Sequence, residues 1–110
     1  MKKPKVGRFI LTVPVAQILD VTDGDTFKLI SFNVAGYVRI RVLPVQAPEK
    51  GSPGFVEAKA FLAEWLHQGP FQIDTTQDDS FGRHLAVVTR GNENVGELMI
   101  EKGLGVLFKK

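Results

Sequence analysis

The run Arg41-Val42-Leu43-Pro44-Val45-Gln46-Ala47-Pro48-Glu49 carries a cation at one end and a carboxylate at the other. Pro48 biases Ala47 toward extended backbone, so Glu49 leaves the apolar run in a defined direction. Two polar turns flank this stretch in the chain: Asp23-Gly24-Asp25-Thr26 before it and Asp79-Ser80-Phe81-Gly82-Arg83 after it. A carboxylate can deprotonate a water or hold a hard cation, and an arginine fork binds phosphate oxygens in pairs. Carboxylates and two arginines converging on one point would suit a phosphodiester. Taken singly, each residue has a plainer use. Asp25 can serve its turn through backbone hydrogen bonds. Glu49 can be a solvated loop acid or help start a helix, and Arg41 and Arg83 can form ordinary ion pairs.

The elements that must bring these residues together are short and mostly extended. Residues 9–19 are β-rich, but Pro14 cannot donate to a ladder and so marks an edge or a break. Residues 20–25 are expected to be a turn, with Asp23-Gly24 as its signal, and residues 26–32 return as a strand with Phe27, Leu29 and Ser31 on one face. After a turn at 33–36, residues 37–45 form the clearest strand. Val38, Ile40 and Val42 point to the core, while Tyr37, Arg39 and Arg41 must face solvent or a ligand. Ser52-Pro53 has the chemistry of an N-cap and first helical residue. Ala58, Phe61, Leu62, Trp65 and Leu66 follow at helical spacing, and Gly69-Pro70 stops that helix. A short strand over 71–75, a polar turn over 76–82 and a strand over 84–90 come next. Asn94 and Glu97 have capping-box spacing ahead of Leu98, Met99, Ile100 and Leu104, with Gly103 as the stop. The order β-β-β-α-β-β-α predicts a mainly β (α+β) chain: a five-stranded OB-fold barrel with two to three helices.

Length and composition bound the rest. The 110 residues suit one domain over 1–110, and 44% hydrophobic residues suffice for one core. Residues 1–8, with Lys2, Lys3, Lys5 and Arg8, are expected to be a flexible basic tail; Lys109 and Lys110 make the other end basic. A net charge of +2 does not by itself prove a nucleic-acid partner. The absence of cysteine excludes a disulfide, a thiolate zinc site and a thiol nucleophile. No apolar run reaches the ~20 residues that span a bilayer. Residues 1–16 faintly resemble a signal peptide, but the apolar part is short and holds Thr12 and Pro14. The sequence leaves the compartment open: cytoplasmic as written, secreted if a leader was trimmed. His67 and His84 lack metal-ligand spacing, and Phe61 and Trp65 are expected in the core.

In their order and spacing these residues resemble the staphylococcal nuclease (thermonuclease) family of small OB-fold domains. The likeness runs over residues 16–107 and is carried by Asp23-Gly24-Asp25-Thr26, Arg41 with Ala47-Pro48-Glu49, Glu57-Ala58, Phe81-Gly82-Arg83 with Leu85-Ala86, and residues 94–104. It implies a calcium-dependent endonuclease that hydrolyses phosphodiester bonds of DNA or RNA, preferably single-stranded, with little sequence specificity. Glu49 then matches the general base, and Arg41 and Arg83 match the phosphate-binding arginines. Arg39, on the same strand face as Arg41, competes with it for that role. Asp25 matches one calcium ligand and the backbone carbonyl of Ala47 another. Gln46 stands where the family's second aspartate is usual. Its amide oxygen can ligate a hard cation but brings no charge. Tyr37 and Phe81 are the candidates for stacking a base, with Arg39 as a further substrate contact. A monomer with no membrane association is expected. The competing reading, favoured by Gln46, is an OB-fold module that binds single-stranded nucleic acid or a protein partner without efficient catalysis. A third is an adaptor whose arginines bind acidic partners.

Overall fold

The computed structural model describes residues 9–30 and 36–108. The expectations for residues 1–8, for Ser31 and the turn at 33–35, and for the last two lysines lie outside the described residues.

Nine strands and two α-helices follow in the order β1 (Phe9–Val13), β2 (Ile18–Asp23), β3 (Thr26–Ile30), β4 (Tyr37–Leu43), β5 (Val45–Gln46), α1 (Phe55–Leu66), β6 (Phe71–Asp78), β7 (Arg83–Arg90), β8 (Glu93–Asn94), α2 (Val95–Glu101) and β9 (Val106–Leu107). The main sheet has the order β1-β6-β7-β4-β3-β2, with β8 on β7; β5 and β9 form a separate pair. All neighbours are antiparallel except β4 and β7, which are parallel. The chain is therefore mostly β with a mixed sheet. The expected closed five-strand barrel is not formed by these pairings. The reason lies at Pro14. With no N–H to give, it breaks the first apolar run, and a 3-10 turn over Val15–Gln17 follows. That break sends β1 to β6 and β2 to β3, so the two ends of the sheet path are joined by covalent chain rather than by ladder bonds.

Alternation decides what the sheet buries. Phe27 and Leu29 of β3, Ile40 and Val42 of β4, Phe71 and Ile73 of β6, and Ala86 and Val88 of β7 enter one core. Helix α1 covers it with Ala58, Leu62, Trp65 and Leu66, as their spacing predicts, and Phe61 packs at its margin. Phe71 meets the edge of Phe27 at 5.9 Å between ring centres. In α2, Asn94 caps the helix as expected, accepting from the Glu97 N–H at 3.0 Å.

Three boundaries differ from expectation. Strand β2 runs on to Asp23, through most of the expected turn at 20–25, because Asp20 and Val21 pair with Lys28 and Phe27. Helix α1 starts after Gly54, whose φ of +90° only glycine adopts freely, and not at Ser52-Pro53. The Ser52 carbonyl instead accepts the Phe55 N–H in the preceding turn. Strand β6 runs on to Asp78, past the polar residues taken as a turn, because Gln77 and Asp78 pair with Leu85 and His84.

Candidate nucleic-acid interface

The site is built at the hairpin between β2 and β3. Asp23 turns the chain by accepting the Asp25 N–H on its own carboxylate at 3.0 Å. Gly24 lets this turn dock: a Cβ there would lie 2.7 Å from both Ala47 Cβ and Ala58 Cβ. Docked in this way, Asp25 is buried and fully engaged. Its carbonyl accepts the Val42 N–H at 2.8 Å. One carboxylate oxygen accepts the Ala47 N–H at 2.8 Å and the other the Thr26 hydroxyl at 3.1 Å. The hairpin, β4 and the segment after β5 are thus pinned to one side chain.

Arg41 stands opposite Thr26 across β3 and β4. Of the two expectations for it, solvent or a ligand, open solvent does not hold: only 4% of it is exposed, and what remains accessible borders a cavity. Burial is tolerated because Nη1 donates to the carbonyls of Val42 at 2.6 Å and Val45 at 2.7 Å, while Nη2 lies 3.6 Å from Asp25 Oδ2. Phe108 lies over the guanidinium at 4.6 Å. Burial lowers the Arg41 pKa, with Asp25 acting in the opposite direction.

Arg83 is delivered by the turn between β6 and β7. One Asp79 oxygen accepts the N–H groups of Phe81 and Arg83, both at 2.9 Å, and the other accepts Arg83 Nε at 2.7 Å. Arg83 Nη1 reaches across to the Thr26 hydroxyl at 3.2 Å. Beyond β5 the chain leaves the sheet through Ala47-Pro48, and Glu49 is exposed.

Two adjoining cavities result. One, of about 220 Å³, is lined by Asp23, Asp25, Arg41, Gln46, Ala47, Pro48, Glu49, Arg83 and Phe108. It gathers every residue expected to act in catalysis or metal binding. The other, of about 410 Å³, has Arg39, Tyr37 and Phe81 on its walls with Lys28 and Arg83. Asp23 and Arg83 border both. Arg39 therefore belongs to the neighbouring cavity, with its guanidinium donating to the Phe81 carbonyl, and Arg41 shares the cavity of Glu49.

Three contributors were not singled out from the sequence. Asp23 looked like a turn residue only, yet it lines both cavities. Burial raises its pKa, and the Asp25 carboxylate beside it adds to the rise. Asp79 was visible as part of a polar turn, but its hold on Arg83 needs the turn's closure. Phe108 had no local signal, because its place over Arg41 depends on the chain's return along β5.

The residues lining the smaller cavity include oxygen donors of the hard type that calcium takes: the carboxylates of Asp23, Asp25 and Glu49 and the amide of Gln46. Each carboxylate oxygen of Asp25 already accepts one hydrogen bond and keeps a second lone pair. The donor set fits a hard divalent ion held by few charges. Among the described residues no three or more His, Cys, Asp and Glu side chains form a metal-binding group.

Residues 39–110 match the family model described as staphylococcal nuclease homologue. The matched stretch holds Arg41, Gln46, Ala47, Glu49 and Arg83, and the Asp23–Asp25 turn precedes it. No curated protein matches the chain.

Proposed function

We infer the function from a chain that belongs to the staphylococcal nuclease family, whose domains are of nuclease or nucleic-acid-binding type. The reading is a metal-assisted nuclease in a single OB-type domain over residues 1–110, hydrolysing phosphodiester bonds of single-stranded DNA or RNA. One observation carries it: Arg41, Glu49 and Arg83 border a single cavity together with Asp23 and Asp25.

The scissile phosphate sits between the two guanidinium groups. Arg83, clamped at Nε by Asp79, offers its outer edge to phosphate oxygens. Arg41, held by two carbonyls, cannot swing away, so its charge is preorganised toward the phosphorus centre as negative charge develops there. Glu49 at the cavity wall takes the proton of the attacking water, worth ~10²–10⁴-fold in rate. Its exposure leaves it reachable by that water. Asp23, Asp25, Gln46 and the Ala47 carbonyl would hold calcium, which supplies charge stabilisation to the phosphate.

The test is cleavage of a labelled single-stranded DNA with calcium, beside an EDTA control and Glu49→Gln. Cleavage lost in both controls supports the reading; full activity in Glu49→Gln removes the base role from that residue. A second reading rests on Gln46, which brings no charge to the metal: a module that binds single-stranded nucleic acid without turnover. It predicts a salt-dependent mobility shift with no products.

A further inference from the structure

The larger cavity holds charge that the proposed hydrolysis does not use. Lys28 stands directly opposite Arg39 across β3 and β4, and Arg39 directly opposite Arg83 across β4 and β7. Three cations thus form one row over three neighbouring strands, which lie ~4.7–4.9 Å apart. Like charges directly opposed destabilise a sheet. Arg83 is relieved by Asp79. Among the described residues neither Lys28 nor Arg39 forms an ion pair. Lys28 lies over the Tyr37 ring at 4.7 Å, and Arg39 donates to the Phe81 carbonyl. Asp23 is the one carboxylate among the described residues lining this cavity, and its Oδ1 is turned to the Asp25 N–H. The walls also carry two exposed rings, Phe81 at 70% and Tyr37 at 50%; Arg83 lies over one face of Phe81 at 5.6 Å, as Lys28 does over Tyr37. Asp20 of β2 stands opposite Lys28 but forms no ion pair with it, so among the described residues two unpaired cations, Lys28 and Arg39, remain beside exposed rings, a setting for an anion attached to something flat.

Direction follows from β4. Arg41, Arg39 and Tyr37 alternate along one face of that strand, from the smaller cavity into the larger. We propose that the larger cavity is a subsite for the phosphate next to the scissile one. The substrate is then a single-stranded polynucleotide running along β4, its flanking phosphate on Lys28 and Arg39 and a base against Phe81 or Tyr37. This rests on the reading that Arg41 and Arg83 hold the scissile phosphate.

The test is binding in EDTA, so that no cleavage intervenes. The probes are a fluorescent twelve-residue oligothymidylate, within the ~4–16 nucleotides an OB fold covers, and a dinucleoside monophosphate, which has one phosphate. Lys28→Ala and Arg39→Ala should each lower the slope of log affinity against log salt for the longer probe by ~0.7, the loss of one single-strand phosphate contact. Each should also narrow the affinity ratio between the two probes by about tenfold. Arg39→Lys should restore the slope, which a merely structural role for Arg39 would not predict. Wild-type binding with slope and ratio unchanged in both alanine variants overturns the subsite alone. No binding by the wild type overturns the subsite and the nucleic-acid reading together.

Discussion

Asp79 holds Arg83 at two places at once: one carboxylate oxygen accepts the Arg83 N–H at 2.9 Å and the other accepts its Nε at 2.7 Å. The guanidinium therefore points across the sheet to Thr26 with little freedom to turn, and Asp79 is a positioning residue for it. Asp79→Asn leaves the backbone contacts but weakens the Nε contact. The expected result is a fall of ~10- to 100-fold in kcat/KM, since small misplacements of a phosphate ligand are costly. The same residue gives a pH signature. Burial pushes the Asp79 carboxyl up, but the N–H groups of Arg83 and Phe81 and the Arg83 side chain pull harder, so it ends below its ordinary 3.8. A carboxyl lowered in the folded state stabilises fully above its unfolded value, and that stability is lost as pH falls through the folded one. Urea midpoints of wild type and Asp79→Asn should differ at neutral pH and converge at acid pH. A constant gap down to pH 2 would contradict the clamp.

Much of this site was visible in the residues alone, and the limits have physical causes. The alternation Val38, Ile40, Val42 against Tyr37, Arg39, Arg41 is a local pattern, and its core side held, with Ile40 and Val42 buried and Val38 packed against them, whereas Arg41 on the other side is buried too. The Asn94 cap also held, since its partner is three residues away. The failures are non-local. Nothing near Arg41 shows that the carbonyl of Val45 will accept from it, so burial of that cation was not foreseen. The closed barrel failed at Pro14, where a missing N–H outweighed the β-propensity on both sides. Ser52-Pro53 had cap chemistry, but the glycine two residues after Ser52 set the helix start.

Gln46 offers a direct handle on the metal. It is exposed, pairs with Val106 at a two-residue strand, and lines the cavity with Asp23 and Asp25. Gln46→Asp adds a carboxylate to a set whose affinity scales with ligand charge. Calorimetric titration should show calcium binding tightened by about tenfold, equivalent to ~1.4 kcal/mol. Unchanged affinity would place Gln46 away from the ion.

Gly24 is the packing condition of the Asp25 turn. Gly24→Ala sets a methyl 2.7 Å from the methyls of Ala47 and Ala58, and both belong to fixed segments. Overpacking of this kind costs ~1–3 kcal/mol. The hairpin should move off α1, so denaturant stability and calcium affinity should fall together. A loss of stability with calcium binding intact would show that the turn relaxes without disturbing Asp25.

Arg41 and Arg83 should answer differently to lysine. Arg41 is 4% exposed, and its Nη1 donates to two carbonyls, those of Val42 and Val45. A lysine ammonium lacks the planar fork needed to hold both carbonyls and still face a phosphate. Arg41→Lys should therefore cost stability, ~1–3 kcal/mol for the disturbed buried contacts, as well as activity. Arg83 and its partner Asp79 are half-buried, their side chains 24% and 16% exposed, so both are more open to solvent than Arg41 at 5%. Arg83→Lys should cost ~1 kcal/mol or less in stability, in the range of exposed ion pairs, while kcat/KM falls through loss of the bidentate phosphate contact. Urea denaturation beside cleavage kinetics separates the two. Equal stability losses would mean that the carbonyl contacts of Arg41 carry no special weight, and retained kcat/KM in either variant would remove that arginine from the phosphate.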